Sequence, residues 1–170
     1  MKTIDEAKLY LGKQETLGPN DGPLLRTMRS SLLYAGAPAC SWCALFVAWC
    51  LTRAHMPETH SAKERRAAMR EAIGFTKPFY LESCHDWYTQ GKALGLVDKK
   101  PQAGDLFLLL NKDKRAHHIG FVTEALPEGE FRTIEGNTNT GGSDNGDGVY
   151  ERTRNVADAV FFHLPAEFKA

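Results

Sequence analysis

The spacing of apolar residues changes partway along this 170-residue chain. Before Pro101, apolar residues recur at helical spacing, as in the stripe formed by Leu24, Met28 and Leu32. After Pro101 and its turn signal, short apolar runs alternate with turns, which is typical of β-strands. N-terminal helices that pack on a C-terminal antiparallel sheet, an α+β fold, are therefore predicted.

Capping signals define the starts of five predicted helices. Residues of the types that cap helix N–H groups, or a proline suited to the first turn, precede each apolar stripe. The predicted N-terminal residues are Thr3, Pro23, Ser41, Ser61 and Ser83, with capping boxes at the first and fourth. The first helix is predicted to reach Leu11. The third is apolar on nearly every side, which predicts a buried position at the centre of the fold. Strands are predicted at residues 106–110, 118–125, 131–137, 148–153 and 156–164.

Composition narrows the classes of function. The chain has 21 basic and 21 acidic residues, so it lacks the basic excess typical of nucleic-acid-binding proteins. No apolar run approaches the roughly 18 residues of a membrane span. The charged first residues do not resemble a secretory signal, so we expect synthesis in the cytoplasm without a signal peptide. Four cysteines are too few for a disulfide-stabilised scaffold of this length.

Cys43 is the first candidate for chemistry. It follows Ser41 and Trp42 and begins the apolar third helix, at about its second position. Free N–H groups and the helix dipole at this end favour negative charge, which lowers the pKa of a thiol. The same N–H groups can stabilise an oxyanion beside the attacking sulfur. The position therefore suits a cysteine nucleophile.

A histidine pair on a predicted strand supplies a candidate base. His117 and His118 point to opposite faces of the strand, and His118 shares its face with Gly120 and Val122. Because Gly120 has no side chain, we expect open space beside His118 and favour His118 as the base. His117 is the alternative.

Two residues on the next strand are candidates for orienting the imidazole. Glu135 and Asn137 are two positions apart, so both face the same side of a regular strand. Either side chain can accept a hydrogen bond from the second ring nitrogen of the histidine and fix its tautomer. The sequence leaves the choice between them open.

Four motifs in this order resemble the CHAP family, the cysteine, histidine-dependent amidohydrolases and peptidases. They are Trp42–Ala44, Ala103–Leu106, His118–Val122 and Ile134–Asn137. The resemblance implies a papain-like fold, with residues 1–170 as a single CHAP-like catalytic domain. It also implies cleavage of an amide bond in peptidoglycan, either the muramoyl–L-alanine bond or one in the stem peptide or cross-bridge.

The resemblance assigns roles to four residues of this chain. Cys43 would be the nucleophile that forms a thioester, His118 the general base and Glu135 the residue that orients it, with Asn137 assisting. We expect no cofactor and no metal. We expect a monomer that acts on the cell wall after secretion, injection or lysis, as an antibacterial effector with a cognate immunity protein or as a phage lysin.

Other interpretations of the same residues are weaker. Cys40 and Cys43 form a C-x-x-C pair, which would suit a thiol–disulfide oxidoreductase, although no core strand is predicted before it. An inactive papain-like binding module is a second alternative. Cys84 is predicted to be a partly buried structural thiol. Cys40, Cys43, Cys84 and His85 lack the spacing of a zinc site. The loop at 144–148 resembles only part of a calcium loop.

Overall fold

The computed structural model describes residues 2–34, 36–56, 61–139, 141 and 146–169, and it confirms the predicted α+β order. Within these residues, five helices precede the sheet and a short one follows it. They are α1 (Lys2–Lys8), α2 (Pro23–Leu32), α3 (Cys43–His55), α4 (Ala62–Ile73), α5 (Cys84–Ala93) and α6 (Ala166–Lys169). Of the helices in these ranges, none has the length and apolar character needed to span a bilayer.

Six strands in the described residues form one antiparallel sheet. They are β1 (Val97–Asp98), β2 (Leu106–Leu110), β3 (Ala116–Ala125), β4 (Glu130–Thr138), β5 (Gly148–Asn155) and β6 (Ala159–Phe162). Their order across the sheet is β1-β6-β2-β3-β4-β5. The last predicted strand is shorter than expected because a 3-10 turn at Val156–Asp158 precedes β6. β1 and α6 were not predicted because they are too short to show a period.

The third helix lies at the centre of the fold, as its sequence predicts. Every residue from Cys43 to Thr52 is buried. One side of α3 packs against α1 and α2, and another packs against β3 and β4. A helix enclosed on several sides has no solvent face, which explains the absence of a polar stripe.

Two predicted caps are confirmed in detail. The Ser61 hydroxyl accepts from the Glu64 N–H while the Glu64 carboxylate accepts from the Ser61 N–H, and α4 ends at Gly74 with a φ of 83°. The Ser83 hydroxyl accepts from the Asp86 N–H at 3.2 Å and caps α5. These caps involve residues close in sequence, so the sequence alone specifies them.

The prediction that Thr3 caps the first helix is wrong. Thr3 lies inside α1, which also ends at Lys8 rather than at Leu11. Its hydroxyl donates to the Phe168 carbonyl oxygen at 2.8 Å and lies 2.7 Å from His55 Nε2. The hydroxyl therefore connects α1 to α3 and α6 instead of capping its own helix.

The prediction that Ser41 caps α3 is also wrong. Trp42 is the N-cap residue, and its side chain makes no capping hydrogen bond. The Trp42 ring is buried, and its indole N–H donates to Glu15 Oε1 at 2.8 Å. Cys43 is therefore the first residue of α3, one position earlier in the helix than predicted.

Candidate active site

Cys43 is the first residue of α3, at the end of the helix where the backbone N–H groups have no helical partner. The side chain is buried, with 2% of the residue exposed. The Ala44 N–H is among the groups that stabilise its thiolate. A helix of 13 residues directs its positive end at this sulfur. The nucleophile position expected from the sequence therefore has the local electrostatics that the chemistry requires.

His118 and Glu135 meet between adjacent strands of the sheet. β3 carries His118, β4 carries Glu135, and His118 Nε2 lies 2.8 Å from Glu135 Oε2. Both residues are fully buried. An ionised carboxylate can only accept, so Nε2 carries the hydrogen and donates it. Nδ1 is then the ring nitrogen left for Cys43, and within the described residues it is buried without a hydrogen-bond partner.

The three side chains shift one another's pKa values. A hydrogen bond with Cys84 and the neighbouring His118 lower the pKa of Cys43 well below its ordinary value, although burial opposes them. Burial lowers the pKa of His118, but Cys43 and Glu135 outweigh it and raise the value from 6.5 to about 9. Both shifts favour the thiolate form of Cys43 and the protonated form of His118.

Arg154 and Thr133 complete the surroundings of the Glu135 carboxylate. Arg154 Nε donates to Oε1 at 2.6 Å and Nη2 donates to Oε2 at 2.5 Å, while the Thr133 hydroxyl donates to Oε1 at 2.5 Å. Burial raises the pKa of Glu135, but Arg154 and His118 outweigh it and lower the value to about 2. The guanidinium also lies 5.4 Å from the centre of the Phe107 ring.

Sequence reasoning missed Arg154 and Thr133. A buried carboxylate requires a cationic partner, so an arginine on a neighbouring strand could have been expected from the sequence. β5 offers both Arg152 and Arg154, and only the packing selects between them.

Asn137 is buried beside this network but makes a different set of contacts from Glu135. Its backbone φ is 60°, and the ladder between β4 and β5 shifts register between Glu135 and Thr138. Within the described residues, neither polar atom of its side-chain amide has a hydrogen-bond partner. His118 and Glu135 thus share a hydrogen bond, Cys43 and His118 are near enough for each to shift the pKa of the other, and the Asn137 amide is hydrogen-bonded to none of the three.

The space expected beside His118 is filled. A Cβ atom on Gly120 would lie 2.7 Å from Phe107 Cε1 and 3.0 Å from Glu135 Cγ. The expectation of open space is therefore wrong: the missing side chain lets Phe107 and Glu135 pack against the strand. At Gly136, a Cβ would lie 2.7 Å from Trp42 Cζ3, so this glycine allows β4 to approach the start of α3.

The remaining candidate ligands do not form a metal site in the described residues. There, no group of three or more histidine, cysteine, aspartate or glutamate side chains is arranged to hold a metal ion. All four cysteines are free thiols. The sulfur in hydrogen-bond contact with Cys43 is that of Cys84, which the sequence did not connect to the site.

His117 is exposed on the strand. Asp144 and Asn145, from the loop that resembles part of a calcium loop, lie outside the described residues.

Comparisons with known proteins identify the family. The family model described as "CHAP domain" matches residues 34–137, more than half of the chain. The chain is similar to an N-acetylmuramoyl-L-alanine amidase from Staphylococcus aureus at 12% identity and a TM-score of 0.37, covering 86% of this chain and 57% of that one. It is similar to Ly7917 at 12% identity and a TM-score of 0.43, covering 96% and 61%. The chain thus spans about three fifths of these solved structures. No curated protein sequence matches it.

Proposed function

The chain belongs to the CHAP family, and from that premise we propose that it is a peptidoglycan hydrolase in which Cys43 attacks an amide carbonyl. The observation that carries the proposal is the buried network of Cys43, His118 and Glu135. A lowered thiol pKa, a raised imidazole pKa and an orienting carboxylate are the three properties that cysteine-dependent acyl transfer requires.

The proposed reaction has two halves, the formation of a thioester on Cys43 and its hydrolysis by water. The Cys43 sulfur forms a bond to the amide carbonyl carbon, and the N–H groups at the start of α3 stabilise the oxyanion. The C–N bond then breaks, and the His118 imidazolium gives its proton to the leaving amine. A water molecule attacks the resulting thioester while His118 takes its proton. The C–S bond breaks and Cys43 is regenerated.

The bond cleaved is either the muramoyl–L-alanine amide or a peptide bond in the stem or cross-bridge. Mass spectrometry of digested peptidoglycan distinguishes the two, because an amidase releases a peptide with a new amine on L-alanine. An endopeptidase instead produces a cut farther along the peptide. This experiment also identifies the substrate class directly.

A matched pair of cysteine variants tests the proposal. Cys43→Ala should abolish hydrolysis while retaining the thermal unfolding profile of the parent protein. Cys50→Ala removes another fully buried thiol from the same helix and should retain hydrolysis. Digestion of peptidoglycan by Cys43→Ala at the parent rate would refute the proposed nucleophile. A Cys43 thiol alkylated by iodoacetamide at pH 6 no faster than a free cysteine would favour a binding module.

We place the site of action at the cell wall, as an antibacterial effector or a lysin. Expression in the cytoplasm should be tolerated, whereas expression behind a secretory leader should lyse the cells unless Cys43 is replaced. An effector should be neutralised when the product of a neighbouring gene is co-expressed, and a lysin should not. Equal survival of cells that carry the secreted protein and its Cys43→Ala variant would contradict this placement.

A further inference from the structure

Two helices each begin at a cysteine, and the sulfur atoms of these two cysteines are in contact. Cys43 is the first residue of α3 and Cys84 is the first residue of α5. Their Sγ atoms lie 3.4 Å apart, and both residues are buried. α5 also packs against β3, the strand that carries His118. The contact therefore lies inside the candidate active site, on the side of Cys43 that α5 covers.

The contact is a hydrogen bond, so one sulfur carries the hydrogen atom and the other sulfur accepts the hydrogen bond. The imidazolium of His118 stands beside Cys43 and favours negative charge on that sulfur. The hydrogen bond with Cys43, together with burial, raises the pKa of Cys84 well above its ordinary value. The anion is therefore on Cys43, and the proton between the two sulfurs belongs to Cys84.

We propose that Cys84 is a positioning residue for the hydrolysis: its S–H donates a hydrogen bond to the Cys43 sulfur and holds the nucleophile as an oriented thiolate. This inference rests on the proposed function, because it assigns Cys84 a role in the same reaction. A hydrogen bond to a charged acceptor is stronger than one between neutral groups, so a weak donor such as a thiol gains most when its partner is an anion.

The other titratable groups around Cys43 do not replace this donor. His118 faces the sulfur from β3 and is backed by Glu135 from β4, and this pair supplies charge from another element. Cys40 lies in the preceding loop, where burial and the charge of Glu82 raise the pKa of its thiol. Cys84 thus supplies an uncharged S–H donor to the thiolate, separately from the charge of His118.

The test is the pH dependence of Cys43 alkylation by iodoacetamide, measured by peptide mapping so that each cysteine is followed separately. In Cys84→Ala the half-maximal pH should rise by about one unit, because one hydrogen bond to the anion is lost. Cys84→Ser retains a donor, so its profile should lie close to that of the parent protein. A rescue by serine would not be expected if Cys84 only filled space.

Controls make both outcomes decisive. Cys40→Ala removes a neighbouring thiol and should leave the Cys43 profile unchanged, and Cys84→Val replaces the alanine variant if that variant unfolds. An unchanged profile in the variant without a donor, or equal shifts in that variant and Cys84→Ser, would overturn the inference. Such a result would leave the hydrolase proposal intact, whereas full hydrolysis by Cys43→Ala would refute Cys43 as the nucleophile, on which both proposals rest.

Discussion

Replacing Arg154 with methionine should expose how the buried carboxylate of Glu135 is kept ionised. The substitution removes both charged hydrogen bonds to Glu135 but retains a long apolar side chain beside Phe107. Glu135 is fully buried, and only 14% of the Arg154 side chain is exposed. His118 and Thr133 still contact the carboxylate in the variant, so the network is weakened rather than removed.

The expected loss of stability in Arg154→Met follows from the pKa of Glu135. A value of about 2, against an ordinary 4.5, corresponds to about 3 kcal/mol in favour of the ionised form in the folded protein. The hydrogen bonding by Arg154 is the largest single effect that lowers this pKa. We therefore expect the free energy of unfolding at pH 7 to fall by about 2–3 kcal/mol, which is at or below the lower end of the roughly 3–5 kcal/mol for breaking a buried ion pair.

Urea unfolding at several pH values is the appropriate assay. A depressed carboxylate pKa contributes stability that is present above pH 4.5 and is lost as the pH falls through about 2. The difference between the parent protein and Arg154→Met should therefore be largest near neutral pH and shrink on acidification. A double-mutant cycle with Glu135→Gln should give a coupling of about 1.5 kcal/mol or more.

A surface pair on the neighbouring strands provides the control. Arg132 and Glu124 are 3.0 Å apart with side chains 62% and 53% exposed, so Arg132→Met should cost less than about 1 kcal/mol. Equal destabilisation by Arg132→Met and Arg154→Met would refute the reasoning. A loss in Arg154→Met that stays constant from pH 7 down to pH 3 would also refute it.

Two further predictions follow from the same network. The rate of peptidoglycan hydrolysis should decline as the pH rises through about 9, because His118 then loses the proton that the leaving amine needs. The free energy that the protonated His118 contributes to folding is fully present below pH 6.5 and should be lost as the pH rises through about 9. A rate still increasing at pH 10 would contradict this assignment. Gly120→Ala should lower stability by about 1–3 kcal/mol and reduce hydrolysis, because its Cβ would displace Phe107 and Glu135. Thermal unfolding checks it, and an unchanged melting temperature with full activity would show that the strand accommodates the methyl group.

The sequence by itself determined the features that depend on neighbours along the chain. The capping residues Ser61 and Ser83, the buried third helix and the strand Leu106–Leu110 all follow from local spacing and side-chain chemistry. Four short motifs in their order along the chain, from Trp42–Ala44 to Ile134–Asn137, likewise predicted the family that the comparison confirms. Each cap, helix pattern or motif spans only a few residues, so it can be recognised without any knowledge of the fold.

Only the tertiary structure decided which side chains meet. The argument that Glu135 and Asn137 face the same side assumes a regular strand, and the register shift with its positive φ at Asn137 removes that assumption. Arg154 and Cys84 reach the site from β5 and α5 through packing that no local pattern records. The physical reason is that contacts between distant elements depend on strand register and helix position, which the whole core sets together.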